Sequence, residues 1–241
     1  MKRIGSIILV ILVAFFINSC TPAEIQRAKD AINMEQGVTT SEISQGLKSA
    51  LQIGITKGAD QLSNYDGYYK SIYKIFLPAE VQTITSKLRN IPGFNTVEET
   101  LVEKVNRAAE DAAKSAKPIF ISAITSMTFN DALNILMGAD NAATSYLERV
   151  TRTQLYNQFN PTIINSLNKF GALDYYKSAV NKYNSLPFVT KLNPKLDDYV
   201  TNKALDGLFA MVQAEELKIR KNPAERVTTL LKKVFAKQDR K

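Results

Sequence analysis

From Thr39 onward, helix-starting and helix-stopping residues alternate along the chain, with apolar side chains three and four apart between them. That pattern predicts helices almost everywhere. Thr39-Thr40-Ser41-Glu42 has the order of a capping box and opens a helix to about Ser63, with Ile43, Leu47, Leu51, Ile55 and Leu62 on or near one stripe. Pro78 suits the first turn of a helix that ends at Ile91-Pro92-Gly93. Thr96-Val97-Glu98-Glu99 reads as a second capping box, and its helix runs through Leu101, Val105, Ala108, Ala112 and Ala116 to a break before Pro118. Further helices are expected at 119–127, from the cap Thr128 to Gly138, and at 141–159, 161–170 and 172–184. Residues 185–195 hold two prolines and read as a loop; a long helix follows at 196–221, and Asn222-Pro223 starts the last, ending near Lys237. Only Ile72 to Leu77 is β-like, and no fixed-period repeat is visible. The expectation is one all-α, bundle-like domain of about ten helices over residues 41–237, without significant sheet.

The N-terminus carries a different signal. Lys2 and Arg3 precede an unbroken apolar run from Ile7 to Ile17, of secretory length and too short for the ~20 residues of a membrane-spanning helix. Ile17-Asn18-Ser19-Cys20 then resembles a bacterial lipobox, departing from it at Asn18. A lone cysteine directly after such a run has no partner for an internal disulfide, so Cys20 is expected to be lipidated. On this reading residues 1–19 are a signal peptide and 20–40 a lipidated N-terminus and tether. The protein would be held in the bacterial cell envelope, facing the periplasm, with the outer membrane favoured.

Composition narrows the chemistry. The chain has no histidine, no tryptophan and one cysteine among 241 residues. Ser-His-Asp and Cys-His catalysis, histidine-based zinc sites and the Glu-x-x-His di-iron pattern are therefore excluded. No Gly-rich phosphate loop and no EF-hand loop is present, so no cofactor and no metal site is expected. A formal charge of +8 fits contact with anionic lipid or envelope polyanions, and equally fits nothing more than solubility. No nucleic-acid motif accompanies it.

A few residues ask for a reason. Gly54 and Gly58 lie four apart inside a helix, where each costs up to ~1 kcal/mol against alanine. They mark either close helix approach or a ligand groove. Tyr65, Tyr68, Tyr69, Tyr73 and Phe76 crowd a short segment around Asp66-Gly67, either closing the end of the bundle or lining a binding face. Glu215 falls on the apolar stripe of its helix, with Arg220 and Arg226 as expected partners of a buried ion pair; a catalytic acid or base is the alternative. Glu216 with Arg220 reads as a surface pair. The C-terminal lysines 232, 233 and 237, with Arg240 and Lys241, read as a solvated basic end.

Several blocks together carry a resemblance: Ala116-Lys117-Pro118-Ile119-Phe120, Asp131 to Leu136, Gly138 to Thr144, Tyr183 to Val189, Asp197 to Phe209, and Leu230 to Phe235. In this order they resemble the bacterial domain of unknown function 4197 over roughly Ser41 to Phe235. The resemblance implies a helical, secreted or lipid-anchored protein and no particular activity. The functional expectation is a non-enzymatic envelope lipoprotein that binds a protein partner or an apolar, lipid-like envelope ligand. The alternatives are a carboxylate-dependent hydrolase or lyase, and a structural or stress-related lipoprotein without a small ligand.

Overall fold

A computed structural model of the chain describes residues 39–169, 171–192 and 195–239. The expected signal peptide, Cys20 and all but the last two residues of the expected tether lie outside them. The described residues form nine α-helices and one 3-10 turn, with no strand. The helices are α1 (Thr40–Ser63), α2 (Ala79–Leu88), α3 (Val97–Ala113), α4 (Ala116–Ser126), α5 (Phe129–Met137), α6 (Ala142–Lys169), α7 (Ala172–Asn184), α8 (Leu196–Lys221) and α9 (Thr229–Asp239). The 3-10 turn, Pro223–Glu225, precedes α9. The expected all-α fold is what the chain adopts.

Helix α8 packs on α6 and α1, and α3 packs on α6, α1 and α8. Helices α4, α5 and α9 cover α1, while α2 and α7 close against each other and α3. Small side chains let α3 sit in the middle: Ala108, Ala109, Ala112 and Ala113 are buried, with Leu101 and Val105 beside them. Helix α8 is buried over a wide arc rather than a narrow stripe, as Leu196, Val200, Leu205 and Phe209 show.

Three local expectations are corrected. The helices foreseen at 141–159 and 161–170 are one, α6, with Pro161 inside it. Proline forfeits one backbone hydrogen bond there. Continuing the helix keeps Phe159, Ile163 and Leu167 four apart and fully buried, and that packing prevails. The capping box foreseen at Thr96 does not form, because its side chain makes no cap hydrogen bond. Thr128 does form one, with Asp131. Asn222 caps the 3-10 turn, and α9 begins only at Thr229.

Candidate functional site

Between α1 and α2 the chain crosses the bundle as an irregular segment, residues 64–78. It begins with Asp66 at φ 67, and a Cβ on Gly67 would lie 2.4 Å from the Gln61 carbonyl oxygen. Two side chains of α3 hold its backbone. Glu110 accepts the Tyr68 and Tyr69 amides at 3.1 Å each. One turn earlier, Asn106 accepts the Ile75 amide at 2.8 Å and donates to the Ile75 carbonyl at 2.8 Å, as a neighbouring strand would. Both side chains belong to buried residues. The β-like run at 72–77 thus has a partner, though it is a helix side chain and not a strand.

The tyrosines separate. Tyr68 is fully buried, donates to the Ala204 carbonyl at 2.7 Å, and fills the space over Gly207, where a Cβ would meet its ring at 2.8 Å. Burial and the nearby Glu110 carboxylate push its phenol far above the ordinary value, so it stays neutral. Tyr68 therefore serves the core. Tyr69 is half-buried and lies on the outside of the same segment.

Outside, aromatic rings and cations alternate. The Arg107 guanidinium lies 3.6 Å from the centre of the Tyr65 ring and 5.0 Å from that of Tyr69. The Lys74 ammonium is 4.6 Å from the Tyr69 ring and 5.8 Å from that of Phe76. The order is Tyr65, Arg107, Tyr69, Lys74, Phe76. Arg107 is fixed by ion pairs to Glu110 at 2.9 Å and Asp66 at 2.8 Å. Hydrogen bonds from Lys70 and Arg107 outweigh desolvation at Asp66 and hold its carboxyl below the usual range. Three grooves follow this row: about 550 Å³ at Tyr65 and Arg107, about 410 Å³ at Tyr69 and Lys74, and about 420 Å³ at Phe76 and Tyr199. Each is within the ordinary range of ligand sites. Tyr65, Ile72 and Phe76 remain exposed along the row.

The other candidate residues lie elsewhere. A Cβ on Gly58 would lie 2.8 Å from Met211, and one on Gly54 would lie 3.4 Å from Glu215, so both glycines seat α8 against α1. Glu215 is buried, but its partners are Lys57 at 3.3 Å and Lys218. Arg220 and Arg226 pair with other groups. The Glu216–Arg220 pair expected at the surface is instead buried, with side chains only 4% and 1% exposed. Glu216 accepts the Ala143 and Thr144 amides at 2.9 and 2.8 Å, and Arg220 donates to the Leu136 and Ile135 carbonyls at 3.2 and 2.7 Å. One helical pair thus caps the end of α5 and the start of α6, with charges placed as the two helix dipoles favour. Arg226 donates to the Ile219 and Arg220 carbonyls and pairs with Asp239, tying the end of α8 to α9. Of the basic C-terminal run, Lys233 pairs with Glu42 and Lys232 is exposed.

Among the described residues no cluster of acids and cysteine could hold a metal ion. None is long and apolar enough as a single helix to cross a membrane. The family model for DUF4197, described as a protein of unknown function, matches residues 37–236. The chain belongs to this family. The match takes in every described helix from the start of α1 and most of α9, so the aromatic–cationic row lies wholly within the family domain. Comparison with curated proteins and with solved structures gives no match.

Proposed function

We propose that this DUF4197 protein is a non-enzymatic lipoprotein of the bacterial cell envelope, anchored through Cys20, whose helical domain binds an extended partner along the Tyr65–Phe76 row. The observation that carries the reading is that Glu110 and Asn106 fix the segment that exposes Tyr65, Ile72 and Phe76. Apolar side chains held outward by a rigid backbone lose little entropy on binding. Arg107 is already neutralised by Glu110 and Asp66, so the Lys74 ammonium between the Tyr69 and Phe76 rings is the cation that favours an acidic group on the ligand, as on a carboxylate-bearing peptide or glycan.

Glu215 supports no competing catalytic reading by position, since it lines none of the three grooves and sits between two lysines. The anchor is tested by metabolic labelling with a palmitate analogue. Label on the wild type and none on Cys20→Ala is expected; equal labelling sinks the anchor. The binding face is tested by photo-cross-linking in the host envelope from position 72, against position 150 on α6 as reference. A discrete adduct from position 72 alone is expected. Identical patterns from both positions would remove the row from the proposal.

A further inference from the structure

The loop after α7 is closed at its base and exposes an aromatic ring at its tip. Asn184 accepts the Leu192 amide at 3.1 Å and donates to the Leu192 carbonyl at 3.2 Å, so the two ends of the loop are clamped together. Ser185 and Leu186 continue off α7 through amides bonded to the Asn181 and Tyr183 carbonyls. At the tip, Pro187 is followed by Phe188 at φ 61, the order of a type II turn whose second corner ordinarily takes glycine. The chain places there a phenylalanine with relative exposure of 107%, the largest among the exposed apolar residues. A large ring in a left-handed backbone, fully in water, serves neither local geometry nor the core.

The charge around the tip is one-sided. From residue 175 to 196 the sequence has four lysines and no acid. Lys182 and Lys191 flank the clamped base; both are exposed, and no described carboxylate pairs with either. An exposed aromatic tip with Lys182 and Lys191 at the base of its loop has the chemistry of a lipid interface: the ring enters the headgroup–acyl boundary while the ammonium groups meet anionic headgroups. We infer that Phe188 and its loop dock the helical domain onto an anionic bilayer surface. This site is separate from the Tyr65–Phe76 row, and it rests on the anchor reading only for a bilayer being near.

Because the chain has no tryptophan, Phe188→Trp gives a single-indole protein. Phe188 is fully exposed, so the exchange leaves the core untouched. The full chain carrying its own N-terminal segment is mixed with vesicles of phosphatidylcholine, with and without phosphatidylglycerol, containing acyl-brominated lipid. Co-sedimentation with the uncharged phosphatidylcholine vesicles reads the anchor, and indole quenching in the anionic ones reads the tip. The expected result is quenching in the anionic vesicles, reduced about fivefold or more by the added Lys182→Glu and Lys191→Glu exchanges. Quenching in the anionic vesicles without co-sedimentation of the uncharged ones upholds the tip and sinks the anchor. Co-sedimentation without quenching overturns the tip alone, and turns Phe188 toward a protein partner. Neither signal overturns both.

Discussion

At the scale of single residues, the molecule spends its buried charge on helix ends. Glu216 satisfies two amides at the start of α6, and Arg220 satisfies two carbonyls at the end of α5. Removing the carboxylate would leave Arg220 buried without its counter-charge, a loss of about 3–5 kcal/mol for Glu216→Ala. Urea denaturation of the variant checks this; a cost under ~1 kcal/mol would mean that water replaces the carboxylate. Glu215→Gln is expected to be much milder, about 1 kcal/mol, because its partners Lys57 and Lys218 are half-exposed and can turn to solvent. Should that variant melt normally yet lose the envelope phenotype, a chemical role for Glu215 would have to be reinstated. Phe188 argues in the opposite direction. Its left-handed backbone costs a non-glycine residue about 1–2 kcal/mol, part of which glycine's larger unfolded-state entropy cancels. Phe188→Gly should therefore melt no lower than wild type, gaining up to about 1 kcal/mol, while losing vesicle contact. A clear drop in the midpoint would show that the ring contributes to folding after all.

At the scale of elements, what the sequence reveals depends on where each signal resides. Caps and stops are local, so Thr128, Gly138 and the limits of α1 and α7 could be read directly. Pro161 could not, because whether a proline breaks a helix depends on what lies on the stripe it interrupts, here Phe159 and Ile163. The tyrosine cluster was visible as composition, but its division was not. Tyr68 turns inward because Gly207, on a helix far along the chain, leaves space for it. Arg107, the centre of the outward row, looks like any charged residue on α3 until Tyr65 and Tyr69 are placed beside it. Glu216 reads as a surface residue as long as α8 buries only the stripe through Glu215, whereas its buried arc is wide enough to take in Glu216 and Arg220. The same placement yields an element-level prediction. Asn106→Ala orphans both backbone groups of Ile75 and is expected to cost about 2–3 kcal/mol. Amide exchange should rise across residues 72–77 more than within α3, and cross-linking from position 72 should weaken. Uniform exchange through the whole domain would mean that Asn106 supports the bundle rather than the segment.

At the scale of the whole molecule, the absence of histidine sets how the fold responds to pH. No described side chain has an ordinary value between about pH 5 and 8. The acid limb belongs to lowered carboxyls. A hydrogen bond from Arg226 lowers Asp239, and hydrogen bonds from Thr128 lower Asp131. At Asp111 desolvation acts upward, but hydrogen bonds from Lys114 and Ser166 prevail. Each contribution is complete above the unfolded carboxyl value near 3.9 and is lost as pH falls through the lower folded one. The alkaline limb belongs to buried phenols. Burial raises Tyr68 steeply and Tyr176 to about 12, so the unfolded chain releases these protons first and stability declines once pH passes about 10. A urea midpoint that is flat from about pH 5 to 9 and falls on both sides is therefore expected. Tyr68→Phe should soften the alkaline limb, at the cost of the hydrogen bond that Tyr68 donates to the Ala204 carbonyl. A midpoint that moves between pH 6 and 8 would mean that a folded-state carboxyl has risen into that range.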